Sequence, residues 1–222
     1  MLDLWAALET LIPKSSESNK DRIVQICDQL IPFLQINYIE KQFAEIYQDF
    51  KSWDFDFTKE ILEKAKGYEE SNKIISVAAL VTLEENKELR LEIYKKLDDF
   101  PLLKNRLYSI HESFNSPKNI KKVLNKHSAK INWHLRRIYR TRSLIIHSGS
   151  YPTFTPILIE HLHNYLDIFL KRMIELASES RISTIEQAVF EISTILDYHN
   201  DLLDKHQDED LTLDNFKEAL LG

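Results

Sequence analysis

Side chains suited to acid–base chemistry lie near the end of one predicted helix, where Arg142 and His147 stand five residues apart. A histidine can exchange protons near neutral pH, and an arginine can hold a phosphate through paired hydrogen bonds without losing its own proton. Because a helix turns by about 100° per residue, Arg136, Arg140, Ser143 and His147 fall close together on one face. This grouping predicts phosphodiester chemistry that needs no metal ion.

Arg142 falls on a different side of the same helical wheel, near the centre of an apolar stripe. That stripe consists of Ile131, Leu135, Ile138, Ile145 and Ile146. A charge in such a place is costly unless it has a partner. We expect this face to meet a second subunit, where the guanidinium finds partners or substrate. The alternatives are a bend in the helix, or pairing of Arg142 with Glu160 or Asp167 on the next helix while His147 only caps the helix end.

The same helix carries a run of positive charge in an otherwise acidic chain of net charge −6. No Asp or Glu occurs between Ser113 and Ile159. We call the cations of this stretch the basic segment: Lys118, Lys121, Lys122, Lys126, Lys130, Arg136, Arg137, Arg140 and Arg142. Such a run either forms a solvated helix face or contacts phosphate. Together with His147 it favours phosphate, and we take Lys130, Arg136, Arg137 and Arg140 as candidate RNA-binding residues.

Helices must position these residues, since three glycines and six prolines leave little material for hairpin turns. Apolar residues recur at helical spacing along the chain, which predicts an all-α, compact antiparallel helical bundle. One helix is predicted from Asn119 to His147, closed by Gly149. A long helix is predicted to follow, with Thr155 as its N-cap and Pro156 in its first turn.

Several local features are also predicted from sequence alone. Pro32 should bend or break the second helix, and the stretch 53–57 should be a loop. The tryptophans Trp5, Trp53 and Trp133 are expected in the core, because aromatic residues at helical spacing usually pack there. Glu160 and His163 form one Glu-x-x-His pair, but no second pair exists to complete a di-iron site, so we expect no metal and no cofactor.

The run Arg140-Thr-Arg-Ser-Leu-Ile-Ile-His147-Ser-Gly149 resembles the Arg-x4-6-His signature of HEPN domains. The opening Leu-Trp-Ala-Ala-Leu-Glu-Thr-Leu of residues 4–11 is similar to the start of the ApeA-like HEPN branch, so the likeness spans most of the chain. The resemblance implies a helical bundle that forms a homodimer with a composite active site. It also implies metal-independent RNA cleavage in phage defence by abortive infection, or in a toxin–antitoxin system.

Carried onto this sequence, the resemblance makes His147 the general acid or base and Arg142 the brace for the phosphate and the transition state. Ser143 occupies the polar position after the arginine, where the family often has Asn, Asp or His. The partners implied are RNA, a second copy of the chain, and an antitoxin or sensor domain. The alternative is a catalytically silent HEPN module that dimerises, binds RNA or a nucleotide, and regulates a partner.

Domain organisation and compartment follow from composition. No connector-like stretch divides the 222 residues, so we expect one domain over 1–222. Because an amphipathic helix starts at the second residue, we also consider that this domain forms the C-terminal part of a longer protein. The single cysteine, Cys27, excludes an internal disulfide, and no run is apolar enough to span a membrane. A cytoplasmic location is expected.

Overall fold

The computed structural model describes residues 1–14, 20–179 and 181–221. Within these ranges the regular secondary structure is helical and contains no strand, so the predicted all-α helical bundle is confirmed. A short 3-10 helix, Glu84–Asn86, precedes the sixth α-helix. The α-helices are α1 (Leu2–Leu11), α2 (Arg22–Gln35), α3 (Tyr38–Trp53), α4 (Phe55–Lys64), α5 (Lys73–Thr82), α6 (Lys87–Lys96), α7 (Pro101–Phe114), α8 (Pro117–Ser148), α9 (Thr155–Ser178), α10 (Ile185–Lys205) and α11 (Phe216–Leu221).

The chain divides into two compact units, each with its own hydrophobic core. Unit 1 comprises Met1–Ile36 and Asn125–Leu196, and unit 2 comprises Asn37–Leu124 and Asp197–Gly222. One boundary falls between α2 and α3, and the other two fall within α8 and within α10. The expectation that the whole chain forms a single domain stays a prediction.

Unit 1 is built around α9, which packs against α1 and α2. Phe33 of α2 meets Phe169 of α9 edge to face, with ring centroids 4.7 Å apart. Trp5 of α1 is fully buried and lies against Tyr139 of α8 at 5.6 Å. Burying such rings removes a large apolar area from water, which is the main stabilising term of the unit.

One arginine fixes the end of α1. Arg22 donates through Nη2 to the backbone oxygens of Glu9 and Ile12, at 2.6 Å each, and through Nη1 to that of Pro13 at 3.1 Å. The last backbone carbonyl oxygens of a helix have no hydrogen-bond donor within the helix. A cation that donates hydrogen bonds to several of them therefore satisfies these oxygens and fixes the orientation of the helix end. The hydrogen bond from Arg22 to the Glu9 carbonyl oxygen therefore holds the backbone of Glu9 in place.

Unit 2 has α5 as its central helix. Every residue from Ser76 to Thr82 is buried, and α5 packs against α3, α4 and α7. Gly67, in the connection that leads into α5, has φ +82° and its Cα faces the Cβ of Ala79. A side chain at this position would stand 2.9 Å from that Cβ, so the close approach requires glycine.

Two local predictions were wrong, and a third was wrong in part. Pro32 does not break α2, which continues to Gln35, while the alternative that it bends the helix stays a prediction. The stretch 53–57 is not a loop, because Asp54 accepts a hydrogen bond from the Phe57 backbone N–H at 3.0 Å and starts α4 directly after α3 ends. Thr155 is the first residue of α9 rather than its cap, since its hydroxyl donates to the Pro152 carbonyl at 2.6 Å.

Candidate functional site

Arg142 and His147 lie in the last two turns of α8. The helix runs without interruption from Pro117 to Ser148, as the absence of glycine and internal proline favours. It closes at Gly149, whose φ of +62° is left-handed and whose N–H donates to the Ile145 carbonyl at 3.1 Å. The predicted helix over 119–147 and its glycine stop are therefore confirmed.

The apolar stripe of α8 is buried only along its first part. Ile131, Leu135 and Ile138 are buried, but Ile146 is 47% exposed. Leu144, one residue after Ser143, is 41% exposed as well. Among the described residues, the last turn of α8 is open to solvent from Ile146 to Ser148. The motif therefore ends on an apolar surface.

The polar face of the motif is open to solvent. Arg136, Arg140 and His147 are exposed, and Ser143 is half-buried. Their spacing of four, three and four residues along a regular helix keeps them in one row. The Arg136 side chain is held by its own helix, since its Nε donates to the Asn132 Oδ1 at 2.7 Å. The row that the sequence predicted is thus present on the surface of unit 1.

Arg142 is half-buried on another side of the helix and pairs with Glu9 of α1. Its Nη2 lies 3.7 Å from the Glu9 Oε2, longer than a direct charge-assisted hydrogen bond. Of the alternatives to a subunit interface, pairing with Glu160 or Asp167 is wrong, because the carboxylate beside Arg142 is Glu9. Asp167 instead pairs with His163 of its own helix at 2.9 Å. The Arg142 side chain as a whole keeps 29% of its surface exposed.

Most cations of the basic segment in unit 1 have no acidic partner. Arg142 is paired as described above. Among the described residues, no carboxylate oxygen lies within 4.0 Å of the side-chain nitrogens of the other cations of this segment in unit 1. These cations are Lys126, Lys130, Arg136, Arg137 and Arg140. Unneutralised cations along one helix create a positive surface potential, which attracts phosphate groups.

Aromatic rings are interleaved with these cations. The Arg137 guanidinium carbon lies 4.2 Å from the ring centroid of Phe154 and 5.5 Å from that of Trp133. Trp133 is 62% exposed, so the expectation that it belongs to the core was wrong, whereas Trp5 is fully buried as expected. Lys130 is exposed at helical spacing from Trp133 and Arg137. Such a surface offers both phosphate contacts and a ring on which a base can stack.

Sequence reasoning missed a histidine pair in unit 1. His134 of α8 and His161 of α9 meet edge to face with ring centroids 4.6 Å apart, and the His134 Nδ1 lies 2.9 Å from the Tyr165 Oη. Burial lowers the pKa of His134 below its usual 6.5, and His161 adds to this effect. The only sequence signal was the four-residue spacing of His161 and Tyr165 on α9.

Over the described residues, no group of three or more His, Cys, Asp or Glu side chains is arranged to hold a metal ion. None of the described helices combines the length and the apolar character that crossing a bilayer requires. The chain matches no protein-family model, no curated protein and no solved structure with which it was compared. Its resemblance to HEPN domains therefore depends on the motif in α8 and the opening helix.

Proposed function

We propose that this chain is a metal-independent endoribonuclease of the HEPN type. The observation that carries the proposal is the exposed row of Arg136, Arg140, Ser143 and His147 at the end of α8, a proton-exchanging group beside unpaired cations. The face that carries Lys130, Trp133 and Arg137 supports RNA as the substrate, because it combines phosphate ligands with an exposed ring.

In the proposed reaction the ribose 2′-hydroxyl attacks the adjacent phosphorus, while the bond from phosphorus to the 5′-oxygen breaks. The products are a 2′,3′-cyclic phosphate and a 5′-hydroxyl, so no water or metal ion is consumed. His147 removes the proton from the 2′-hydroxyl or supplies the proton to the 5′-oxygen, and solvent water exchanges the other of these two protons. Arg142 braces the negative charge that builds up on the phosphate oxygens.

A second copy of the chain would complete this site. Arg142 and His147 are five residues apart and therefore about 140° apart around α8, so they do not share a face. Exposed apolar side chains surround them, including Leu144, Ile146 and Tyr151. A homodimer formed over this surface would cover these side chains and bring Arg142 and His147 of the two copies to one cleft. Its biological setting would be phage defence or a toxin–antitoxin system, with a sensor or antitoxin as partner.

The test is cleavage of total RNA and tRNA in EDTA by the parent chain, by His147→Ala and by His163→Ala. His163 is a matched control, because it is an exposed histidine of unit 1 whose ion pair among the described residues is with Asp167 of its own helix. We expect His147→Ala to lose activity by about a hundredfold to ten-thousandfold, the usual contribution of proton transfer. His163→Ala should cleave like the parent. Equal cleavage by all three proteins would contradict the proposal.

A Trp133→Ala variant extends this test to RNA binding. Loss of a stacking ring should weaken the binding of single-stranded RNA by about fivefold or more, since stacking contributes roughly 1–3 kcal/mol per base. The fold should not change, because the ring is largely exposed. Circular dichroism would check that the fold is unchanged. Unchanged RNA binding would mean that Trp133 does not contact the RNA.

The second candidate function is a catalytically silent module that binds RNA or a partner. The ion pair between Arg142 and Glu9 favours it, because a carboxylate already occupies the guanidinium that would brace the phosphate. A silent module would bind RNA and leave it intact in EDTA. It would also show no difference between the parent and His147→Ala in the cleavage assay.

A further inference from the structure

Unit 2 contains a cavity of about 440 Å³ between α3, α4 and the segment that leads into α5. This volume lies within the range of pockets that hold small ligands. The lining side chains are aromatic, cationic and acidic, and include Tyr47, Lys51, Phe55, Lys59, Tyr68 and Lys73. No residue of the motif in α8 takes part.

The cavity gathers three lysines that have no acidic partner. Among the described residues, Lys51, Lys59 and Lys73 have no carboxylate oxygen within 4.0 Å. Lys64 of α4, outside the cavity, is by contrast paired with Glu60 at 2.6 Å. Because Glu63 and Glu70 also line it, the cavity holds three cations against two carboxylates, and its unpaired ammonium groups can bind an anion that enters.

Aromatic rings lie beside the same lysines. The Lys73 Nζ is 4.3 Å from the ring centroid of Tyr68 and donates a hydrogen bond to its hydroxyl oxygen. The Lys51 Nζ is 5.5 Å from the ring centroid of Tyr47. Phe55, the first residue of α4, also lines the cavity and has 56% of its surface exposed, so its ring is accessible to a ligand. The cavity therefore presents stacking surfaces next to cations.

We propose that this cavity binds a nucleotide. The three ammonium groups would hold its phosphates as charge-assisted hydrogen-bond donors, and Phe55 with the tyrosine rings would stack against the base. The carboxylates of Glu63 and Glu70 also line the cavity and would accept hydrogen bonds from ribose hydroxyls or from an exocyclic amine. The site is separate from the proposed nuclease chemistry and does not depend on it.

The test is isothermal titration calorimetry of the full chain with ATP, GTP, CTP and UTP, beside the four corresponding nucleosides and inorganic tripolyphosphate. We expect at least one nucleotide to bind with one-to-one stoichiometry. Its nucleoside and tripolyphosphate should each bind at least about tenfold more weakly, because each lacks one of the two kinds of contact. A His147→Ala protein should bind the nucleotide like the parent, which keeps this result distinct from the outcome of the cleavage assay.

Two variants and a matched control locate the site. Lys51→Gln with Lys59→Gln should weaken binding by about tenfold or more, since hydrogen bonds to charged groups are among the strongest in proteins. Phe55→Ala should weaken it by about fivefold. The control is Lys41→Gln with Lys64→Gln, which removes the same charge from the same two helices outside the cavity.

Three results would overturn the proposal. The first is no saturable binding of any of the four nucleotides at millimolar concentration by a folded parent chain. The second is equal binding by the double lysine variant and its control. The third is binding of tripolyphosphate as tight as that of the best nucleotide, which would leave an anion site without a role for the rings.

Discussion

Removing the negative charge of Glu9 tests whether Arg142 is a phosphate ligand. In the structure the two side chains are 3.7 Å apart and about equally exposed, at 29% for Arg142 and 27% for Glu9. A phosphate that approaches Arg142 must therefore compete with the carboxylate. Glu9→Gln keeps the shape of the side chain but removes this competition, so we expect it to strengthen RNA binding.

The magnitude follows from the geometry of the pair. The distance is too long for a direct charge-assisted hydrogen bond, and both groups are in contact with water. Pairs of this kind contribute about 0.5–1 kcal/mol, which corresponds to about a two- to fivefold change in affinity. The free energy of unfolding should fall by no more than about 1 kcal/mol, because Arg22 still holds the end of α1.

The assay is fluorescence anisotropy with a labelled single-stranded RNA in EDTA, at one fixed ionic strength because salt screens these charges. His147→Ala is present in every protein so that the RNA stays intact. Glu160→Gln is the matched control, since Glu160 is an exposed carboxylate of unit 1 without an ion pair among the described residues. The dissociation constant should fall by two- to fivefold for Glu9→Gln and stay unchanged for Glu160→Gln.

Two outcomes would refute this reasoning. Binding that is unchanged or weaker with Glu9→Gln would mean that Arg142 does not contact phosphate and that its pairing with Glu9 is structural. An equal gain with Glu160→Gln would mean that only the net charge matters. Adding Arg142→Gln to Glu9→Gln should cancel the gain, because the two changes act on one contact.

Two further predictions concern stability. Gly67→Ala should lower the free energy of unfolding by about 2–5 kcal/mol, because it combines a left-handed φ with the clash against Ala79. Gly149 also has a left-handed φ but has open space around it, so Gly149→Ala should lower the free energy of unfolding by only about 1–2 kcal/mol. Equal losses for the two variants in urea titrations would refute this account. Burial lowers the pKa of His199 below its usual 6.5, although its bond to the Ala219 carbonyl opposes the shift. The unfolded chain therefore takes up this proton first as pH falls below 6.5, and stability should decline by up to about 1.4 kcal/mol per pH unit until the folded pKa is passed. Thermal midpoints at pH 7.5 and 5.5 should differ less in His199→Gln, and an identical difference would assign the pH dependence to other groups.

Sequence reasoning succeeded where the pattern is local. The apolar periodicity of α8, the glycine at 149 and the spacing of Ser143 and His147 all act within one or two helical turns, so they could be interpreted before the fold was known. It failed where a single capping bond decided the outcome, as at Asp54, which starts α4 where the composition suggested a loop. It also failed at Trp133, because helical spacing does not say which face of a helix finds a neighbour.

The sequence by itself determined that this chain is helical and that a histidine, a hydroxyl and two arginines form one row at the end of a long helix. Only the tertiary structure decided which distant groups meet these residues. It placed Glu9 beside Arg142, Phe154 against Arg137 and His161 against His134, and it enclosed the lysine-lined cavity of unit 2. The physical reason is that periodicity fixes directions around a helix axis, whereas packing between helices far apart in the chain fixes which side chains come into contact.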